Sequence, residues 1–368
     1  MSNPDEITRN WRSPVRVAIV GTGGIARIHL EALRELNDRA LVVAAVDIDG
    51  DRARSFANRH GIAHAGTDLR RAMAQTAPDL VHVCTPPGAH ADPAREALAA
   101  GAHVLVEKPP ALSLRELDEL ATAGAFGTVF QHRFGSGARR LRALLAAGVL
   151  GRPLLAVCET SWYRTQEYYD VPWRGRWDTE GGGPTMGHGI HQMDLMLAVL
   201  GDWAEVRAVA RRQARRVDTE DVSLAHVTFD SGAVATVVNS VVSPREESRL
   251  RFDFEHATVE VTHLYGYGDD DWRIAPAPGH EERVALAWKA GAAGVASGHR
   301  AQFDEVLAAV AGGAPPPVEV AEARRTLSLV AGIYASAFTG RPVTPADLGP
   351  GSVFYDRMQG SGPPWEMA

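Results

Sequence analysis

The stretch VRVAIVGTGGIA, Val15 to Ala26, restricts the possible fold of this chain more than any other. Six residues, all apolar but Arg16 and enough for one buried strand, run straight into Gly21-Thr22-Gly23-Gly24-Ile25-Ala26, and a helical pattern follows from Ile25 to Leu36. A strand without a polar face is covered on both sides, as in a parallel sheet wrapped by helices. In a G-x-G-x-x-A turn the glycines let the backbone bend sharply and approach a pyrophosphate, which rests on the free N–H groups opening the helix. Ala26 is small enough to keep helix and strand close. A second apolar run, LVVAAVD, ends in Asp47, 24 residues beyond Gly23. That is near the spacing of about 20 residues at which a carboxylate meets the adenosine ribose hydroxyls. Such a carboxylate favours NAD and repels the 2′-phosphate of NADP, although Arg52 and Arg54 follow closely and keep NADP possible.

The runs DLVHVC, HVLVE and TVFQ continue the rhythm, with helical patterns over residues 92–100 and 114–123 between them. Beyond residue 132 the pattern changes. PLLAVCETSWY, VRAVARRQ, VSLAHVTF, AVATVVNSVVS, LRFDFEHA and TVEVTHL alternate apolar and polar residues, as antiparallel strands with one solvated face do. Asp230-Ser231-Gly232 reads as a hairpin turn. Helices are predicted over 138–147 and 190–200, with a last long one, AEARRTLSLVAGIYASAF, closed by Gly340. The expected class is α/β: a doubly wound parallel sheet over 13–132, then an α/β domain over 133–346 with a large, open, mostly antiparallel sheet. At 368 residues two cores are expected. Residues 1–12 and 347–368 read as loose tails.

A net charge of −7 excludes a surface built to neutralise nucleic-acid phosphates or an anionic membrane. The first residues are acidic and lack an apolar leader, and no apolar run approaches the ~18 residues of a membrane span, which predicts a cytoplasmic protein. Cys84 and Cys158 form neither a disulfide framework nor a zinc motif and read as reduced packing residues. The cations are more telling: 36 are arginine, and only Lys108 and Lys289 are lysine. Lysine, unlike arginine, offers a cation whose pKa can be lowered until it exchanges protons.

Three segments carry candidate chemistry. Cys84-Thr85-Pro86-Pro87-Gly88-Ala89-His90 follows the fourth strand at the carboxyl edge of the sheet, where ligands bind; His90 reads equally as a contact or as a helix cap. HVLVE opens into Glu107-Lys108-Pro109-Pro110-Ala111. Gly181 to Asp194, GGGPTMGHGIHQMD, spaces His188, His191 and Asp194 three residues apart. That spacing suits a metal site, with Glu180 or Asp178 as fourth ligand, or a proton relay beside a substrate.

Taken together, the Gly21 turn, T-P-P-x-x-x-H, E-K-P-P-A and G-G-G…G-x-H-x-x-D resemble the glucose–fructose oxidoreductase / inositol dehydrogenase / MocA (Gfo/Idh/MocA) family, from Val15 to about Val343. The resemblance implies a Rossmann domain followed by a sheet that builds homo-oligomers, dimers or tetramers, with NAD as cofactor and no metal. It implies oxidation of a sugar, inositol or polyol hydroxyl, or reduction of the ketone. The cofactor set is then Gly21, Gly23, Gly24, Ile25, Ala26, Asp47, Thr85, Pro86, His90, Glu107 and Lys108; the substrate set is Lys108, Arg133, Trp173, His188 and His191. Lys108 is expected to hold the reacting oxygen and His191 to take its proton. The family's D-x-x-x-H falls on Gly187 and His191, so the aspartate is missing here. His188 is the favoured substitute, with a water or Asp194 as other options. Two further activities stay open: a hydrolase or lyase using NAD for transient oxidation, and a non-catalytic dinucleotide sensor.

Overall fold

A computed structural model describes residues 14–366; the expected tail 1–12 lies outside them. The first sheet is built from β1 (Val15–Val20), β2 (Ala40–Val46), β3 (His64–Gly66), β4 (Leu80–Val83), β5 (His103–Val106) and β6 (Gly127–Thr128). All pairs are parallel, in the order β3-β2-β1-β4-β5-β6. Helices α1 (Gly24–Arg34), α2 (Gly50–His60), α3 (Leu69–Thr76), α4 (Ala91–Ala99) and α5 (Leu114–Ala121) fill the crossovers. Val15, Val17 and Ile19 of β1 enter one core while Ala18 and Val20 enter the other, which is why the strand has no polar face.

The rest of the chain supplies α6 (Ser136–Ala146), β7 (Pro153–Tyr163), the single turn α7 (Pro184–Gly187), α8 (Ile190–Leu200), β8 (Trp203–Arg211), β9 (Val222–Phe229), β10 (Val234–Ser240), β11 (Val242–Phe254), β12 (Ala257–Thr262) and β13 (Trp272–Pro276). Helices α9 (Glu281–Ala290), α10 (His299–Ala311), α11 (Val320–Thr339) and α12 (Val353–Asp356) follow. The strands form one sheet in the order β13-β12-β11-β7-β10-β9-β8, antiparallel except where β10 runs alongside β7. The predicted hairpin joins β9 to β10, with Gly232 at φ +84°. One face packs on α8 and α11. The other leaves Leu155, Val209, Leu224 and Val234 exposed, with Leu155 opposite Val234 and Val209 opposite Leu224.

Two expectations are corrected. Residues 347–366 are not loose: Leu348, Phe354 and Met358 are buried, and Trp365 packs on Phe338 and donates to Asp218 O at 3.0 Å. Apolar and aromatic side chains spaced through this stretch give it something to bury. Helix α10, unforeseen in the sequence, returns to the first domain, where Phe303, Val306, Leu307 and Val310 complete the core beneath α1.

Candidate active site

The carboxyl ends of β1, β2, β4 and β5 open on one edge of the parallel sheet. Gly21 has φ +84°, and a Cβ on it would stand 2.7 Å from the Thr85 nitrogen, so glycine lets this loop lie against the one after β4. Among the described residues, a Cβ at Gly23 or Gly24 would meet nothing within 4 Å, and no side chain caps α1. The first N–H groups of the helix therefore face open surface, a seat that fits a pyrophosphate. Behind it, Ala26 is buried and Ile25 half-buried. Asp47, buried, accepts from Thr22 N (2.8 Å), Thr22 Oγ1 (2.9 Å), Asp49 N (2.9 Å) and Arg52 Nη2 (3.0 Å). Burial opposes its ionisation, but these donors outweigh burial and hold it below the ordinary carboxylate range.

The loop after β4 is pinned across the molecule. Thr85 Oγ1 donates to Ala89 O (2.8 Å), and Gly88 N donates to Thr179 O (3.0 Å), which draws the segment before the glycine run against Pro86 and Pro87. His90 is buried with Nδ1 2.8 Å from Pro109 O and Nε2 2.9 Å from Thr85 O. Its ring ties the two loops together; with both nitrogens on carbonyls it has none to offer a cofactor. Glu107 is likewise turned inward. Its Oε1 pairs with His29 Nε2 (2.8 Å) and lies 3.5 Å from His299 Nε2, while Oε2 accepts the Lys108 backbone N–H (3.0 Å). His29 contacts His82 and Cys84 in turn, a buried network behind the catalytic edge.

Lys108, half-buried, directs Nζ to Gly187 O at 2.9 Å, so the end of β5 meets the glycine run of the second domain. Burial lowers its pKa, and Glu107 and Glu180 counteract this. The glycine run is held by Glu220, a fully buried residue that the sequence reading missed; it accepts from Gly183 N (3.0 Å), Thr185 N (3.1 Å) and Tyr334 Oη (2.9 Å). Helix α8 then presents His191, buried, with no hydrogen-bond partner for Nδ1 among the described residues. Burial, and then the charge of Lys108, hold this imidazole well below its ordinary pKa, so it is neutral.

The favoured partner for His191 is not found. His188 faces Trp162 (ring centroids 5.0 Å) and Tyr168 Oη (3.5 Å from Nε2), and no hydrogen bond joins it to His191. Asp194 is also consumed, because Arg133 grips both of its oxygens at 2.6 Å while also pairing with Glu322. Thus Arg133, expected at the substrate, is a buried strut, and His188, His191 and Asp194 do not converge as a metal triad. Trp173 is half-buried on the loop before the glycine run. Arg174 lies over its ring at 5.1 Å and over Tyr168 at 3.8 Å, which places Trp173 on the same wall as His188.

Of two other residues of the site, His132 gave no signal in the sequence and Glu180 was read there only as a fourth metal ligand. His132 sits 5.3 Å from the His191 ring, held at Nδ1 by Ser297 Oγ (3.3 Å), with Nε2 unpartnered and its pKa pushed down to about 3 by burial. Glu180, buried, accepts Gly175 N at 2.6 Å through Oε2 and is pushed up to about 7 by burial. Among the described residues, buried nitrogens of His132, His188, His191 and Arg174 have no hydrogen-bond partner, and ring contacts through Tyr265, Trp162 and Tyr168 link these residues into one cluster, a set of polar groups that fits a ligand rich in hydroxyls.

Comparison with known proteins shows the family. The model of an oxidoreductase family with an NAD-binding Rossmann fold, GFO_IDH_MocA, matches residues 15–125, and the GFO/IDH/MocA C-terminal domain matches 138–260. The D-glucoside 3-dehydrogenase of Escherichia coli is 30% identical over 69% of this chain and 79% of its own length. The chain belongs to the Gfo/Idh/MocA family. It is an NAD-binding oxidoreductase of the CH–OH dehydrogenase type. Another member, the D-apiose dehydrogenase of Paraburkholderia graminis, is 26% identical over 89% of this chain and 88% of its own. The WlbA dehydrogenase of Chromobacterium violaceum, solved with NADH and UDP-GlcNAcA, superposes with a TM-score of 0.78 at 28% identity, covering 90% of this chain and 96% of that one. Among the described residues of this Gfo/Idh/MocA chain, no helix is long and apolar enough to cross a membrane.

Proposed function

We propose that the protein oxidises a secondary hydroxyl of a sugar, sugar acid or cyclic polyol, with NAD as the acceptor. The observation that carries this is the meeting of Lys108 and the Gly187–His191 segment at the carboxyl edge of the nucleotide sheet. NAD, when bound, supplies the hydride acceptor; Gly21, Gly23, Gly24 and the start of α1 would hold its pyrophosphate, and Asp47 its ribose. Lys108 donates a hydrogen bond to the reacting oxygen and stabilises its developing negative charge. His191, kept neutral, accepts the hydroxyl proton. Rings of Trp162, Trp173 and Tyr168 offer faces for sugar C–H groups, and Arg164 and Arg174 beside them suit an acidic or phosphorylated substituent. The WlbA dehydrogenase, crystallised with a nucleotide-linked sugar acid, supports that preference.

The test is a panel of sugars, uronates and inositols with NAD and NADP, following nicotinamide absorbance and product together. Reduced cofactor in step with ketone is expected, faster with NAD; bond cleavage without free NADH would replace this reading by a hydrolase or lyase. Lys108→Ala should lower turnover at least ~1,000-fold while NAD affinity changes less than about threefold. Unchanged turnover would remove Lys108 from the mechanism. The exposed stripe of Leu155, Val209, Leu224 and Val234 supports association of copies through the second sheet. Light scattering should show an oligomer that Leu224→Arg dissociates.

A further inference from the structure

The proposed chemistry has an electrostatic difficulty. A proton arriving on His191 creates a second positive charge beside Lys108, in buried surroundings where His132 also neighbours His191, and Lys108 and Arg174 neighbour His188. Like charges in such a site oppose the transfer unless an anion faces them. Glu107 lies nearby, but both its oxygens are bound behind the sheet to His29 and the Lys108 backbone. Asp194 is locked by Arg133. Glu180 remains. One of its oxygens is fixed by Gly175 N, and the other lies only 3.4 Å from where a Cβ on Gly187 would stand, next to the residue whose carbonyl takes the Lys108 ammonium. A carboxylate reaching in from position 180 thus fills the space that a side chain at 187 would use.

We infer that Glu180 is the positioning carboxylate of this site, facing Lys108 across Gly187 to hold the ammonium charged and aimed while His191 receives its proton. The inference rests on the dehydrogenase reading for the identity of the transferred proton, but the pairing itself is a property of the protein alone. Glu180 in turn faces Lys108 and Arg174, with Glu220 as the neighbouring like charge. Its ionised form is the one required, so activity should rise with pH as this carboxyl loses its proton.

The two-lysine composition makes the pairing measurable. Lysine labelled with carbon-13 at Cε gives one signal from Lys108 and one from exposed Lys289, assigned with Lys289→Arg. In Glu180→Gln, which keeps the shape, the Lys108 titration should move down by about one unit while Lys289 stays fixed. Turnover of the sugar found in the panel should fall about a hundredfold with KM little changed, and the acid limb of the pH profile should vanish. Glu180→Ala combined with Gly187→Asp, which grows a carboxylate into the same space, should recover turnover; Glu180→Ala with Gly187→Ala should not. An unmoved Lys108 titration in a folded Glu180→Gln protein overturns the proposal, as does lost turnover that the relocated carboxylate fails to restore. If the titration moves but no sugar is oxidised, the pairing stands and the dehydrogenase reading falls.

Discussion

Two glycine-rich turns in this protein use glycine for opposite reasons. In the turn after β1, Gly23 and Gly24 border open space, and a methyl group on either would touch no other atom of the described residues. In the run from Gly181 to Gly189, the protein itself occupies the space. A Cβ on Gly182 would stand 2.2 Å from Tyr334 Oη, one on Gly183 1.9 Å from Glu220 O, and one on Gly189 1.7 Å from Asn239 Oδ1. The first turn is bare so that a ligand can approach; the second is bare so that Glu220, Tyr334 and Asn239 can pack against the backbone that carries His191. A glycine count does not separate these cases, and their neighbours do.

The contrast predicts a split between stability and binding. Gly183→Ala should have the largest effect, about 3 kcal/mol lost from unfolding free energy or failure to fold, because the atom it strikes is backbone. Denaturant melting checks this; a wild-type midpoint would mean the run is looser than described. Gly24→Ala should leave the midpoint within about 0.5 kcal/mol yet weaken NAD binding about tenfold, near 1.4 kcal/mol, by calorimetry. A loss of stability without a loss of affinity would reverse the assignment.

The smallest effect is a difference in acid sensitivity. His188, His191 and His132 have pKa values held below the ordinary imidazole value by burial, so the unfolded chain takes up protons first as pH falls through about 6.5. Stability from these groups is present above that pH and lost below it. Glu180 acts in the opposite sense: its raised pKa costs stability in full above about 7, and that cost is relieved as pH falls toward the ordinary carboxylate value, so it offsets part of the imidazole effect on acidification. Asp47 is depressed, and its contribution survives until the pH passes below about 4. Hydrogen exchange between pH 7 and 5 should therefore loosen residues 181–191 before residues 20–26; the reverse order would contradict the described burial.

How much of this was legible in the sequence follows the range of each interaction. The nucleotide turn, Asp47 and the alternation of β9 and β10 are local patterns, and the structure has them where the pattern places them. Lys108 and His191 stood out by motif, and Lys108 also by its rarity among the cations. Arg133 was misread because a charge shows in sequence while its partner does not: Asp194 lies 61 positions away and Glu322 189. His188 looked like a relay partner because it lies at i, i+3 from His191, but Gly189 ends one turn and α8 starts another, which turns the two rings apart. Glu180 was read only as a metal ligand and Glu220 gave no signal as a site residue, since nothing local distinguishes a buried glutamate from a solvated one. Helix α10 was missed for a similar reason, its partners lying near the opposite end of the chain.

That helix sets an order of events during synthesis. Phe303, Val306, Leu307 and Val310 close the hydrophobic floor under α1, so a nascent polypeptide that has emerged only as far as β6 has every strand of its nucleotide domain and still lacks a wall. Domains usually mature in turn as they leave the ribosome. Here the first domain to be translated is among the last to be sealed.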